Sequence, residues 1–215
     1  MTGFWNERYD RSEFVYGKEP NQFFAEQLSQ LFKQDRTLSA GKTSSAEWRP
    51  RLLLPMEGEG RNAVYAAQQG WSVDASDFST VARNKAYELS NLAGVSINYA
   101  IMDMTAPSLR YNRYQAAGLI YAHLSPEYRK FLHREIQKSL VPEGVVIIEA
   151  FHVSQLGNPS GGPGNVDMLY TADILESDFE GCDIIELDET QTILQEGDGH
   201  KGPAQIVRGV FKKRI

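Results

Sequence analysis

Three acids and two glycines in one short span are the residues of this chain best placed to do chemistry. Residues 52–78 read LLLPMEGEGRNAVYAAQQGWSVDASDF. An apolar run, Leu52 to Leu54, leads into Glu57-Gly58-Glu59-Gly60. A small-residue segment with helical character follows from Arg61 to Gln69, and a second short strand pattern closes on Asp77. Strand, glycine turn, helix, strand and acid form the unit that holds an adenosine-type cofactor at the carboxyl edge of a parallel sheet. The glycines let the backbone approach the cofactor, and the final acid accepts from the ribose hydroxyls.

The acids discriminate between cofactors. Gly58-Glu59-Gly60-Arg61-Asn62-Ala63 matches the dinucleotide fingerprint G-x-G-x-x-A. A pyrophosphate in that turn would meet Glu57 and Glu59. Each like-charge pair at about 4 Å costs roughly 1–4 kcal/mol. S-adenosylmethionine (SAM) brings a sulfonium and an α-ammonium instead, which the acids attract. SAM is therefore the expected cofactor, with S-adenosylhomocysteine as its product. A nicotinamide-dependent oxidoreductase and a SAM-binding protein without turnover are the alternatives.

The elements that must position these residues follow from periodicity and punctuation. Pro20-Asn21 opens a helix over 20–33 with Phe23, Phe24, Leu28, Leu31 and Phe32 on its apolar face. Residues 34–50 are polar and small and read as a flexible loop. A helix over 79–92 has Ser79 as its cap, and one over 125–139 opens on Ser125-Pro126-Glu127. Strands are expected at 95–101, 114–121 and 144–150, the last (GVVIIEA) β-branched like a fully buried parallel strand. A short helix near 171–177 precedes strands near 182–195 and 205–212, an antiparallel pair joined through Glu196-Gly197-Asp198-Gly199-His200. This alternation predicts a doubly wound, Rossmann-like α/β fold. Its sheet has seven mostly parallel strands, the last antiparallel, with helices on both faces.

Composition bounds the partners. With 215 residues the chain is read as one domain, 1–215, its first 33 residues forming an arm and helix that could cover the site. A hydrophobic share of 41% and a charged share of 23% suit a water-soluble globule rather than a membrane or disordered chain. A net charge of −6 disfavours nucleic acid, which needs a basic face. No apolar run is long enough to span a bilayer, and the polar N-terminus is not a secretory signal. The single Cys182 excludes an internal disulfide and suits a reducing cytoplasm. It has no His or Cys at ligand spacing, so no metal site is expected. The expected partner is a small-molecule substrate, bound by a monomer or homodimer.

Several segments together resemble one family. They are Phe4-Trp5-Asn6-Glu7-Arg8-Tyr9, Tyr16-Gly17-Lys18-Glu19-Pro20-Asn21, the glycine turn, Gly70-Trp71-Ser72-Val73, Asp77-Phe78-Ser79, His123-Leu124-Ser125-Pro126-Glu127, and Glu196-Gly197-Asp198-Gly199-His200-Lys201-Gly202. Across nearly its whole length the chain resembles class I SAM-dependent methyltransferases, in particular the tellurite-resistance and thiopurine methyltransferase-like branch. Met56 departs from that pattern, standing where such families have a small residue before the acid.

The resemblance implies roles. Glu57, Gly58, Glu59, Gly60 and Asn62 would hold the methionine end of SAM, Asp77 the ribose, and Phe78, Asp103 and Met104 the adenine. Tyr121 and His123, ending the fourth strand, would lie over the methyl group. Trp5, Arg8, Tyr9 and Tyr16 would form a lid, where aromatic faces attract a sulfonium by about 0.5–2 kcal/mol. His200, Arg208 and His123 are the candidate catalytic residues, with His200 a base and Arg208 an oxyanion holder. Residues 157–164 (GNPSGGPG) would close over the substrate. No Asn-Pro-Pro-Tyr-type sequence follows the fourth strand, where Tyr121-Ala122-His123-Leu124 stands. The expected reaction is methylation of a small nucleophile, a thiol or a chalcogen oxyanion such as tellurite.

Overall fold

A computed structural model describes residues 2–39 and 49–215. The elements are α1 (Thr2–Tyr9), α2 (Gln22–Ser39), β1 (Arg51–Pro55), α3 (Arg61–Gln68), β2 (Ser72–Asp77), α4 (Thr80–Leu92), β3 (Asn98–Ile101), β4 (Tyr114–Ile120), α5 (Pro126–Ser139), β5 (Leu140–Phe151), α6 (Ala172–Asp178), β6 (Cys182–Glu196) and β7 (His200–Lys213). They build a seven-stranded sheet in the order β3-β2-β1-β4-β5-β7-β6. Strands β1 to β5 run parallel, and β7 runs antiparallel to both β5 and β6. This is the class I methyltransferase fold.

Strand alternation sends side chains to two cores. Leu52 and Leu54 meet Phe24 and Leu28 of α2, Ala63 and Ala66 of α3, and Ala86 of α4. Leu53 points the other way, with Leu132 and Ile136 of α5 and Leu175 of α6. On β5, Val145 and Ile147 join the first core, and Val146, Ile148 and Ala150 the second. Each fully buried side chain of this kind contributes about 1.5–3 kcal/mol.

The turns are set by particular residues. Gly60 precedes α3 at φ 90°. A Cβ there would lie 2.5 Å from the Ala86 Cβ, so only glycine lets the two helices approach this closely. Ser79 caps α4, its hydroxyl accepting from the Ala82 N–H at 3.1 Å. Asn21 caps α2 in the same way, accepting from the Phe24 N–H at 2.9 Å.

The structure departs from the sequence reading in three places. Helix α2 continues to Ser39, because residues 34–39 hold neither glycine nor proline to stop it; the rest of the expected loop, 40–48, lies outside the described residues. The N-terminal arm is itself helical, and its Asn6 side chain accepts from the Ser79 hydroxyl at 2.7 Å. Strand β7 begins at His200 rather than near residue 205, since residues 200–205 pair with β6, beyond the end of β5. That overhanging ribbon carries His200 toward the carboxyl ends of the parallel strands. No described helix is long and apolar enough to cross a membrane.

Candidate functional site

Sheet order reverses between β1 and β4, and ligands of doubly wound folds bind at the carboxyl ends of the strands at such a reversal. A cavity of about 650 Å³ opens there, within the range of small-molecule sites. The turn after β1 contributes Met56, Glu57 and Gly58, the end of β2 Asp77 and Phe78, and the start of α3 Arg61 and Asn62. Tyr121 and His123 follow β4, and Trp5, Arg8, Tyr9 and Tyr16 cover the cavity from the N-terminal segment. Gly161 to Gly164 and His200 complete the wall.

The two acids of the wall are held by backbone. Asp77 accepts from the Gly58 N–H at 3.2 Å and from the Ser79 N–H at 2.9 Å. Burial raises its carboxyl above the usual value, with those N–H groups opposing. Glu57 accepts from the Ala63 N–H at 2.8 Å and the Asn62 amide at 3.3 Å, so it satisfies the open first turn of α3. Burial raises its carboxyl to about 7, the N–H of Ala63 and the charge of Arg61 opposing. Glu57 forms no ion pair among the described residues.

Met56 and Tyr121 take strained backbone on this wall, with φ 58° and 54°. A non-glycine residue in the left-handed region costs on the order of 1–3 kcal/mol. The φ at Met56 also explains why a small residue suits that position.

Beneath the wall lies a buried polar network. Glu149 of β5 accepts from the Tyr121 hydroxyl at 2.7 Å, the Asn21 amide at 2.6 Å and the Arg208 guanidinium at 2.7 Å. The Asn21 amide also donates to Glu196 at 2.9 Å. Glu196 pairs with Arg61 at 2.9 Å and contacts His200 Nδ1 at 3.1 Å. Burial works against ionisation of Glu196, but the His200 hydrogen bond and the Arg61 charge outweigh it and bring the carboxyl down to about 2. The His200 ring sits between Tyr16 and Tyr121, each 4.4 Å away centre to centre. Burial lowers its basicity against the pull of Glu196.

Of the residues singled out from sequence, Trp5, Arg8, Tyr16, Glu57, Gly58, Asn62, Asp77, Phe78, Tyr121, His123 and His200 line one cavity. Five others are placed differently. Glu59 turns away to Lys85 at 2.6 Å and to the Val15 N–H at 2.8 Å. Gly60 serves the packing of α3 on α4. Asp103 is turned to its own loop, accepting from the Thr105 N–H at 2.9 Å; Thr105 lines the cavity instead. Met104 is core. Arg208 points to Glu149 and stacks over Phe23, 4.8 Å from the ring centre, so it offers no oxyanion site in the cavity. His123 reaches the wall, but Nδ1 is bound to the Met168 carbonyl at 2.7 Å and Nε2 accepts from the Phe151 N–H. Burial lowers it to about 4. Both nitrogens of His123 are thus engaged by backbone groups.

Sequence reasoning assigned no role to Asn21, Glu149 or Glu196. Glu149 left a signal: it is the one acid at the apolar end of GVVIIEA, and a charge in a buried strand must be paired.

No protein-family model matches the chain, and no curated protein sequence matches it. Solved structures do. TehB from Haemophilus influenzae superposes with TM-score 0.65 at 15% identity, covering 99% of this chain and 67% of that one. The N-methyltransferase NodS from Bradyrhizobium japonicum WM9, solved with S-adenosylhomocysteine, gives 0.68 at 12%, covering 100% and 98%. The cyclase SpnF gives 0.69 at 14%, covering 100% and 95%. These likenesses define the fold. They do not single out the tellurite-resistance branch, and they include a protein described by a different reaction.

Proposed function

We propose that the protein is a SAM-dependent methyltransferase acting on a small nucleophile. One observation carries the reading: Glu57 and Asp77 stand on the wall of the strand-end cavity, and among the described residues no cation lies within ion-pairing distance of Glu57. A pyrophosphate there would face two carboxylates. The ammonium of SAM would supply the missing charge, and Asp77 keeps lone pairs for ribose hydroxyls beyond the two N–H groups it holds. Bound SAM would supply a methyl group on a sulfonium, ready for in-line displacement.

The chain's own residues then orient the partners and exclude water. Glu57 and Asn62 would fix the amino-acid end, Phe78 and Thr105 the adenine side. Trp5, Tyr9 and Tyr16 cover the cleft. His200, on the opposite wall, would take the proton of a protonated acceptor. The acceptor we infer is small, because the N-terminal segment and Gly161 to Gly164 enclose the cavity. Thiols head the screen. Tellurite belongs in it, although Arg208 is turned away and Arg61 is already neutralised by Glu196.

The test is calorimetric titration with S-adenosylhomocysteine and, separately, NADH. Micromolar binding of the first and none of the second supports the reading. Binding of NADH would overturn it in favour of an oxidoreductase. Binding of S-adenosylhomocysteine with no methyl transfer across the screen would favour a binding protein without turnover.

A further inference from the structure

We propose that Glu196 is a positioning residue that fixes His200 as the Nδ1–H tautomer, with Arg61 supplying the counter-charge that lets the ring stay neutral. The argument is one of donors and charges. Glu196 is ionised, so it only accepts. Its Oε1 takes the Asn21 amide, and its Oε2 takes Arg61 Nη2 at 2.9 Å and His200 Nδ1 at 3.1 Å. The imidazole nitrogen on that carboxylate must therefore carry the hydrogen, and the lone pair falls on Nε2.

Charge balance sets the ring's state. Asn21 donates to two buried carboxylates at once, Glu149 and Glu196. Arg208 compensates the first and Arg61 the second. With both acids neutralised, His200 need not become a cation to stabilise its partner. The other ionisable groups facing the ring are Tyr16 from the N-terminal segment, Tyr121 and His123 after β4, and Arg8 of α1. Arg8 also disfavours the imidazolium. The arrangement delivers a neutral base with its acceptor nitrogen fixed by a hairpin residue that does not itself line the cavity. That Nε2 acts on a methyl acceptor rests on the function proposed above; the tautomer does not.

Nitrogen-15 NMR of the histidine side chains, on the protein alone, tests this. His200 is assigned from the signal lost in His200→Gln. The expected wild-type spectrum near neutral pH has a protonated Nδ1 and a lone-pair Nε2. Glu196→Gln should mix the tautomers and lower the His200 midpoint by roughly one pH unit, and Arg61→Gln should raise it by a similar amount. Opposite signs are the signature, since simple loosening of the fold would move both variants alike. An Nε2–H tautomer in the wild type overturns the proposal, as do variants that shift together or not at all. The wild-type spectrum decides the tautomer even if a variant fails to fold. Calorimetry with S-adenosylhomocysteine separates the two readings: failure to bind it refutes the function and leaves the tautomer standing.

Discussion

Glu59 and Lys85 meet at 2.6 Å, with side chains only 2% and 10% exposed. Each reaches past the other to the N-terminal segment. Glu59 accepts from the Val15 N–H, and Lys85 donates to the carbonyls of Arg11 at 3.0 Å and Glu13 at 2.6 Å. The second acid of the glycine turn therefore fastens the cover of the cavity rather than its ligand.

Breaking that pair leaves a buried charge without its partner, which typically costs about 3–5 kcal/mol. Lys85→Met should lose stability on that scale in urea denaturation. The double variant with Glu59→Gln should recover part of the loss. Equal stability of single variant and wild type would show that the pair does not hold the segment.

Asp77 holds the turn and faces the cavity. Hydrogen bonds to a charged group contribute about 1.5–3 kcal/mol each, so Asp77→Ala should weaken S-adenosylhomocysteine binding by roughly tenfold to more than a hundredfold. Asp77→Asn, which keeps one acceptor, should fall between. Calorimetry reads both. Undiminished affinity in Asp77→Ala would remove the ribose role.

Glu57 makes binding depend on pH. Only its ionised form attracts an ammonium, and its carboxyl ionises near 7. Affinity for S-adenosylhomocysteine should therefore fall below pH 7, by about tenfold per pH unit, and Glu57→Gln should flatten the profile. The unliganded fold behaves oppositely. Between the ordinary value of 4.5 and about 7, the folded state keeps a proton that the unfolded chain releases. Stability of the empty protein should thus decline as pH rises through that window. A binding profile flat from pH 5 to 8 would contradict the cation site.

Met56→Gly relieves the left-handed backbone at φ 58°, a gain of about 1–2 kcal/mol, reduced by up to about 1 kcal/mol of added chain entropy. The net expectation is a Tm higher by about 2–4 °C, with ligand affinity maintained or improved. A lower Tm would mean that the Met56 side chain contributes more packing than its backbone costs.

What could be read from the sequence was local. The turn from Glu57 to Gly60, the Ser79 cap and the acid at Asp77 each follow from neighbours within a few residues, and so did the sheet. What it did not show was long-range or fine. Strand β3 ends at Ile101, and the next two residues turn Asp103 onto its own loop, which puts Thr105 at the wall. Arg208 reads as a strand residue of either face until the register pairs it with Glu149 across β5 and β7. His123 looks catalytic by type, yet its partners are backbone atoms of Met168 and Phe151, which no local pattern reveals. Residues 34–39 read as loop by polarity, which does not by itself end a helix.

Asn21 was met first as the cap of α2 and then as the donor shared by Glu149 and Glu196. Its own backbone N–H also goes to the Asn62 side chain at 2.9 Å, and Asn62 in turn holds Glu57. One side chain thus starts a helix and seats two charges, while its peptide group anchors the first turn of α3. Fraying of the first turn of α2 and disorder of the acid cluster are therefore a single event. Amide exchange at Phe24 should slow when the cavity fills, although no ligand comes near it.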